Sequence, residues 1–307
     1  MKNRDYNIEK WQKIFENVYF KADEKRSPEN LWVGLTSYAG SIGEAIRKMH
    51  FRELRDSLAT FFCWLCSFIS KCNSIDNDFF HFTNNLSEII AFKYPLECGT
   101  CGNNPCQCSP EIEERRPNKS AQYKNLYNDW KSIKASVTHY KISDWVKQFY
   151  KIYGRNTPIL TIETIGFHFI EEVGEASTYI RNLSALNGIL KSGINNIDKL
   201  FLNELSNIDG IVKHYDKLYS VDINTTSANP EILMKRIVSA KINMLIEIAD
   251  MFSWFVEIIN KIKYISKNCD IPETSIIDVL SKKYFDINGN AFCPTCGNNI
   301  CKCIFYM

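Results

Sequence analysis

The sequence predicts an all-α protein of 307 residues. Almost no segment shows the alternation of apolar and polar residues, bounded by turns, that marks a half-buried strand. Long segments instead carry apolar residues at helical spacing, and the longest of them follows Asn229-Pro230, a typical cap and first-turn proline. Most of these segments also occur twice. The sequence therefore predicts two tandem helical-bundle repeats.

The repetition is clearest in two cysteine clusters, CGTCGNNPCQC at 98–108 and CPTCGNNICKC at 293–303. They share their spacing and most of the intervening residues. Before each cluster lies a matching apolar helix, SLATFFCWLCSFI at 57–69 and EIADMFSWFVEII at 247–259, with Trp64 and Trp254 in register. Two earlier pairs match as well. They are SIGEA at 41–45 with EVGEA at 172–176, and KWQKIFENVY at 10–19 with DWVKQFYKIY at 144–153.

These matches define the predicted domains. The first repeat spans 1–110, a charged linker that contains Pro117 and follows Pro110 spans 111–121, and the second repeat spans 122–307. The second repeat carries an insertion at about 183–230 whose apolar spacing predicts a helical hairpin. The insertion could be a lid, a partner-binding hairpin or a sign of altered substrate choice.

Charge and hydropathy argue against two classes of partner. The chain has 37 basic and 35 acidic side chains, without the basic surplus that nucleic-acid or membrane-surface binding usually needs. Its longest apolar run, 58–69, has 12 residues, whereas a membrane span needs about 20. The N-terminus is too polar for a secretory signal. We therefore expect a cytoplasmic protein that binds neither nucleic acid nor membrane.

Each cysteine cluster supplies four thiolates within 11 residues, enough for a closed tetrahedral site. We predict one structural Zn²⁺ in each cluster, with an iron–sulfur cluster or a redox pair as the alternative. The predicted ligands are Cys98, Cys101, Cys106 and Cys108, and then Cys293, Cys296, Cys301 and Cys303. The other four cysteines, Cys63, Cys66, Cys72 and Cys269, are predicted to be core thiols.

Two groups of carboxylates stand in apolar helical segments. Glu171, Glu172 and Glu175 share one helical face, and Glu247 and Asp250 lie three apart in a helix that is apolar nearly all round. Unpaired buried carboxylates cost several kcal/mol each or become protonated, so something must neutralise them. A Mg²⁺ ion, which prefers oxygen ligands, would do so. The alternative is that the acids face solvent or distant lysines.

These motifs resemble a known family. EEVGE at 171–175 and EIAD at 247–250 look like the EExxE and ExxD signature of the MazG-like all-α nucleotide pyrophosphohydrolases. IPETSIIDVLSKKY at 271–284 is similar to that family's third helix, with Lys283 and Tyr284 at its lysine–aromatic pair. Two features depart from the pattern. Seventy-one residues separate the acidic motifs, which the family joins by a short loop, and Ser281 stands near a frequent family Asn.

The resemblance implies a Mg²⁺-dependent enzyme that splits an NTP or dNTP into the monophosphate and pyrophosphate. The implied catalytic carboxylates are Glu171, Glu172, Glu175, Glu247 and Asp250. All of them except Glu171 would hold Mg²⁺, and Glu171 would bind a second ion or orient the attacking water. Lys283 would bind a substrate phosphate. Weaker candidates for that task are Arg181, Lys235 and Arg236.

The first repeat has lost most of this acidic set. In the tryptophan register the five acidic positions fall on Gly40, Ser41, Glu44, Ser57 and Thr60. We therefore predict a single active site per chain, with the first repeat as the structural half of an intramolecular pseudo-dimer. Two chains could pair further. A rival register would use Glu53 and Asp56 as an ExxD pair, but it leaves a shorter connection after Glu44.

Two other functions remain open at this stage. The chain could be a nucleotide-binding sensor or regulator whose insertion blocks turnover, or a zinc-stabilised helical interaction module whose acids face water. The first would bind nucleotide tightly with Mg²⁺ and release no pyrophosphate. The second would show no metal-linked stability beyond that from zinc.

Overall fold

The computed structural model describes residues 4–76, 78–108, 119–191, 199–219, 230–268 and 275–303. In these ranges all regular secondary structure is helical apart from two isolated β-bridges, so the all-α prediction is confirmed. In chain order the helices are α1 Ile8–Asp23, α2 Pro28–Arg47, α3 Phe51–Ser74, α4 Leu86–Lys93, α5 Lys119–Val137, α6 Ile142–Tyr153, α7 Ile162–Lys191, α8 Lys199–Glu204, α9 Ile208–Tyr219, α10 Pro230–Asn268 and α11 Ile276–Tyr284.

Local signals in the sequence place the ends of several helices. The Asn7 side chain caps α1 by accepting from Lys10 N at 2.9 Å, and Ser27 caps α2 ahead of Pro28 at its first turn. Asn85 and Glu88 form a reciprocal capping box at the start of α4. These short-range signals explain why the predicted segments begin where they do.

The helices follow the order of the sequence repeats. Each repeat runs through a short helix, two longer helices, a second short helix and a cysteine cluster. The first repeat uses α1, α2, α3 and α4, and the second uses α6, α7, α10 and α11. Helix α5 precedes the second set. In the predicted insertion the described residues form the end of α7 and the short helices α8 and α9. The predicted linker lies largely outside the described residues.

By packing, the chain divides into two compact units. The first comprises Met1–Lys71, Thr138–Glu171 and Met251–Met307, and the second comprises Cys72–Val137 and Glu172–Asp250. The boundary falls inside α3, α7 and α10. Each unit takes segments from both sequence repeats. Packing and sequence repetition are separate criteria, so the predicted domain limits stay a prediction.

The first unit has an aromatic core. Phe15 stacks edge-on against Tyr284 at 5.0 Å between ring centroids, and Phe61 does the same against Phe169 at 5.0 Å. All four rings are shielded from solvent. Such aromatic pairs contribute about 0.5–1.5 kcal/mol each beyond the area that they bury.

In this unit, α2 and α3 of the first repeat pack antiparallel against their counterparts in the second, and the N-caps of α1 and α6 meet. Asn7 and Lys141, the N-cap residues of α1 and α6, form an antiparallel bridge. Between α2 and α7 the approach is close because glycines face isoleucines. A methyl group on Gly43 would lie 2.7 Å from Ile170 Cδ1, and one on Gly166 would lie 2.5 Å from Ile46 Cδ1. Larger residues at these two glycines would require the isoleucine side chains to move.

Helices α3 and α10 pack in the same way. Phe62 stacks on Phe255 at 6.2 Å, and Arg55 Nη2 donates to Ser266 Oγ at 3.2 Å. The two pairs run in opposite directions along the helices.

One lysine contact recurs in both repeats. Lys71 Nζ donates to the Asp23 carbonyl at 3.0 Å, and Lys261 Nζ donates to the Thr157 carbonyl at 2.8 Å. Lys71 and Lys261 are equivalent in the tryptophan register, and Asp23 and Thr157 are equivalent in the register of the preceding helices. The two lysines therefore make the same tertiary connection.

Beside each of these lysines a carboxylate is hydrogen-bonded to a hydroxyl, but the two repeats place the carboxylate and the hydroxyl at exchanged positions. In the first repeat Asp23 is hydrogen-bonded with Ser67. In the second, Thr157 Oγ1 donates to Glu257 Oε1 at 2.6 Å. Ser67 and Glu257 are equivalent by register, so the carboxylate has changed sides while the hydrogen bond is kept.

The second unit packs α5 against α4 and α9. Trp130 Nε1 donates to the Glu88 carbonyl at 3.0 Å, and Tyr127 OH donates to Asp209 Oδ1 at 2.6 Å. Lys241 of α10 is 1% exposed and donates to the His81 and Leu205 carbonyls at 2.7 and 2.8 Å. This single lysine thus ties the loop before α4 and the loop after α8 to the long helix.

Two further sequence predictions concern burial and membranes. Cys63, Cys66 and Cys72 are buried, as predicted for core thiols, whereas Cys269 lies outside the described residues. Among the described helices, none combines the length and the apolar character that crossing a bilayer requires.

Candidate functional site

Three of the predicted carboxylates meet in the second unit. Glu172 from α7 and Glu247 and Asp250 from α10 each offer a carboxylate oxygen, and these atoms lie within 4.8 Å of one another. We call these residues the acidic trio. Glu247 and Asp250 are three apart on α10, so they share the helical face that meets α7. The spacing of the sequence motif therefore produces the cluster.

The carboxylates of the trio lie close together and are partly shielded from solvent. Glu247 is 8% exposed, and burial together with the charges of Asp250, Glu172 and Glu175 raises its pKa to about 9. Glu172 also hydrogen-bonds with Glu247. Carboxylates this close cannot all ionise unless positive charge enters. A divalent cation or a proton is the ordinary way to relieve such repulsion.

Two residues of α4 and its C-cap contact the trio. Tyr94 OH donates to Asp250 Oδ1 at 2.6 Å, and Lys93 Nζ lies 3.6 Å from Asp250 Oδ2. Both side chains are largely buried, and Tyr94 is 7% exposed. The first repeat thus supplies a cation and a hydroxyl to an acidic group from the second repeat.

Sequence reasoning did not identify Lys93 and Tyr94 as site residues. Their contact with Asp250 joins positions 156 residues apart, which no local pattern reveals. The signal that could have found them is the repeat itself. Lys93-Tyr94 precedes the first cysteine cluster as Lys283-Tyr284 precedes the second.

The other two predicted acids differ in their surroundings. Glu175 is exposed, and its charge acts on both Glu247 and Tyr179. Glu171 is exposed too, and belongs to the first unit, where His168 Nδ1 lies 3.0 Å from its Oε2. The His168 ring stacks on Trp254 at 4.7 Å. Glu171 therefore has a local partner of its own.

A pocket of about 660 Å³ opens between α7 and α10 in the second unit. We call it the α7–α10 pocket. Its lining residues are Tyr179, Asn182, Ala185, Leu186, Ile232, Lys235, Arg236, Ser239 and Ala240. Tyr179 connects it to the acids, since burial and the charges of Glu247 and Glu175 raise the pKa of this phenol. Ser239 lies two helical turns, about 12 Å, before Glu247 on the same helix.

The predicted phosphate-binding residue Lys283 lies in the first unit. Its Nζ donates to the Asp56 carbonyl at 3.2 Å, beside the first-repeat positions that correspond to the acids. Among those, Glu44 is exposed and pairs with Lys48 at 2.6 Å. Tyr284 hydrogen-bonds with Thr60, as Tyr94 does with the equivalent Asp250. This parallel agrees with the tryptophan register.

Both cysteine clusters bring their four sulfurs together. In each, the Sγ atoms lie within 4.8 Å of one another. Cys98 and Cys108 are 3.6 Å apart, and Cys293 and Cys303 are 3.8 Å apart. A Zn²⁺ ion with bonds of about 2.3 Å gives tetrahedral edges of about 3.8 Å. Each cluster could therefore bind zinc.

The two clusters share their backbone geometry. Gly102 and Gly297 have φ of 66° and 70°, which a side chain disfavours, and each donates its N–H to the first cysteine carbonyl at 2.8 Å. The amides of Gln107 and Lys302 donate to the second cysteine sulfur of their cluster. Chiefly through the Lys302 amide, these bonds lower the pKa of Cys296 to about 6. Amides aimed at sulfur stabilise the thiolates that a metal needs.

Comparisons with protein-family models, curated proteins and solved structures find no match to the chain.

Proposed function

We propose that the chain is a Mg²⁺-dependent nucleoside triphosphate pyrophosphohydrolase of the MazG-like class, with one active site made by the acidic trio. The observation that carries the proposal is the meeting of three carboxylates from α7 and α10 beside a large pocket that contains Lys235 and Arg236. A volume of about 660 Å³ lies within the range of small-molecule sites. The two cations suit a polyphosphate.

The residues of the trio fit a magnesium site. Their oxygens are hard ligands of the kind that Mg²⁺ prefers, and they lie within 4.8 Å of one another. Glu172, Glu247 and Asp250 would hold it, with Glu175 beside them. When bound, Mg²⁺ neutralises phosphate charge. The Lys93 ammonium stands beside Asp250 and would bind a substrate phosphate, so the proposal moves this role from Lys283 to Lys93.

The reaction adds water across one phosphoanhydride bond. The water oxygen bonds to the α-phosphorus, the bond from that phosphorus to the bridging oxygen breaks, and pyrophosphate leaves with the electron pair. Glu175, exposed beside the trio, is the carboxylate assigned to accept the proton from water. Tyr94 fixes the orientation of Asp250 by donating to one of its oxygens. The role of Glu171 with water or a second ion stays a sequence prediction, since this residue belongs to the first unit.

The pseudo-dimer belongs to the same proposal. It is supported by the antiparallel pairing of α2 with α7 and of α3 with α10, and by the bridge between the N-caps of α1 and α6. The recurring lysine contacts of Lys71 and Lys261 support it as well. It is also supported by the exchange of the lysine–tyrosine pairs. Lys93-Tyr94 meets an acid of the second repeat, and Lys283-Tyr284 meets Thr60 and Asp56 of the first.

The test is pyrophosphate release from a panel of NTPs and dNTPs with Mg²⁺. We expect Asp250→Asn to abolish release and Lys93→Gln to reduce it at least tenfold, while Glu44→Gln, an exposed acid of the first repeat, leaves it unchanged. Folding of each variant is checked by circular dichroism. Mg²⁺-dependent nucleotide binding without pyrophosphate release would instead support the regulator hypothesis. No effect of Asp250→Asn on either property would reject the site.

A further inference from the structure

The first unit contains a second candidate binding site, a cavity of about 230 Å³. We call it the first-repeat cavity. Its lining residues are Tyr19, Arg26, Tyr38, Thr60, Cys63, Trp64, Ser67, Lys283, Tyr284, Pro294 and Thr295. Thr60 stands where the second repeat has Asp250, and Lys283 and Tyr284 stand where it has Lys93 and Tyr94. The cavity is therefore the counterpart of the acidic site, with a different chemistry.

Its charge is the opposite of that of the acidic trio. Among the described residues that line the cavity two are cations and none is a carboxylate. Lys283 Nζ donates to the Asp56 carbonyl, a neutral acceptor. Arg26 pairs with Asp23 at 2.8 Å, and Asp23 is in turn hydrogen-bonded with Ser67 and close to Lys71. Arg26 and Lys71 are thus the two cations beside the Asp23 carboxylate, and Lys283 adds a further positive charge to the lining of the cavity. This excess of positive charge favours an anion.

Its walls are aromatic. The Tyr38 and Trp64 rings lie 6.2 Å apart at an interplanar angle of 32°, and Arg26 lies 5.1 Å over the Trp64 ring. The hydroxyls of Thr60 and Ser67 are also in the wall and offer neutral hydrogen-bonding groups. A planar ring could pack against the indole while a phosphate meets the cations.

We propose that the first-repeat cavity binds a nucleoside monophosphate without a divalent cation. The phosphate contacts Arg26 and Lys283, and the base packs against Trp64 and Tyr38. A metal is unnecessary because Arg26 and Lys283 supply positive charge to the phosphate, whereas the carboxylates of the second repeat would repel it. The inference goes beyond the proposed function, since binding at this cavity needs neither the acidic trio nor turnover.

The test is calorimetric titration of the full chain with AMP, GMP, CMP and UMP in buffer free of divalent cations. No chelator is added, so that metal in the cysteine clusters is retained. We expect saturable binding of at least one nucleotide. Lys283→Gln should weaken it about tenfold, whereas Lys282→Gln, which removes the same charge from the exposed neighbour, should leave it unchanged. Each variant must first unfold at the wild-type temperature.

A second variant separates the two halves of the ligand. Trp64→Leu should weaken the nucleotide but not inorganic phosphate, whereas Lys283→Gln should weaken both. The proposal is overturned if no monophosphate binds without Mg²⁺. It is also overturned if binding survives Lys283→Gln and is lost in Asp250→Asn, because the ligand then occupies the acidic site. Pyrophosphate release is measured separately, so each proposal can fail alone.

Discussion

Replacing Glu247 by Gln tests whether the acidic trio is the crowded, cation-requiring group that its geometry indicates. The pKa of Glu247 rises from its ordinary 4.5 to about 9, first through burial and then through Asp250 and Glu172. In the metal-free protein, folding at a pH between these values is therefore coupled to binding of a proton by Glu247. Below about pH 4.5 the Glu247 carboxyl is neutral in both the folded and the unfolded state, and the stability of the fold decreases as the pH rises from there toward 9. Glutamine is neutral at every pH and avoids this loss.

The expected magnitude follows from the shift. Each pKa unit corresponds to about 1.4 kcal/mol, so a dry site would lose about 5 kcal/mol by pH 8. Because water reaches part of the trio, screening reduces the loss to about 2 kcal/mol. Without metal at about pH 8, Glu247→Gln should therefore melt roughly 4–8 °C above the wild type. With Mg²⁺ at about 100 times its Kd the wild type gains about 2.7 kcal/mol, and the difference should close or reverse.

The assay is thermal unfolding by circular dichroism with and without Mg²⁺. Glu163→Gln, an exposed acid on α7, is the control and should change stability by less than about 0.5 kcal/mol in both conditions. The reasoning is refuted if the metal-free Glu247→Gln protein is less stable than the wild type at about pH 8. It is equally refuted if Mg²⁺ stabilises both proteins to the same extent.

Two further predictions concern buried groups. Burial lowers the pKa of Lys241 to about 7, so its stabilising contribution is complete above about pH 10.5 and falls as the pH drops toward 7. Lys241→Met leaves two carbonyls unpaired, so it should lower the free energy of unfolding by about 2–4 kcal/mol near pH 10 and by less near pH 7. Urea unfolding measures this change. The control Lys213→Met, on α9, should change the free energy of unfolding little. The zinc content by elemental analysis should be two per chain and should fall to one in Cys296→Ser, whose melting temperature should also drop. A constant Lys241→Met effect across this pH range, or unchanged zinc in Cys296→Ser, would contradict these expectations.

The sequence predicted the parts of the site that are close along the chain. The i, i+3 spacing of Glu247 and Asp250 placed them on one face, and the CxxC and CxC pairs placed four sulfurs together, because helix and turn geometry determine such distances. The spacing also grouped Glu171 with Glu172, although Glu171 has His168 as its partner. Helix geometry determines that two residues share a face. The packing of the helices determines which other side chains they contact.

Contacts between distant segments were less predictable. The approach of Tyr94 to Asp250 depends on how α4 lies against α10, and helical periodicity carries no information on that arrangement. The interleaving of repeat segments in both compact units has the same origin. Internal repetition nevertheless contains a usable signal, since a residue pair that occurs twice, such as Lys93-Tyr94 and Lys283-Tyr284, identifies candidates for equivalent roles.

The acid–hydroxyl pair that changes sides between Asp23–Ser67 and Thr157–Glu257 has an evolutionary consequence. In a symmetric homodimer every substitution occurs in both subunits. The carboxylate and its hydroxyl partner therefore cannot exchange positions in one of the two symmetric contacts and not in the other. A chain that encodes both halves separately is free of that constraint. One half can then lose its acids and acquire a new ligand, while the packing that the other half requires is preserved.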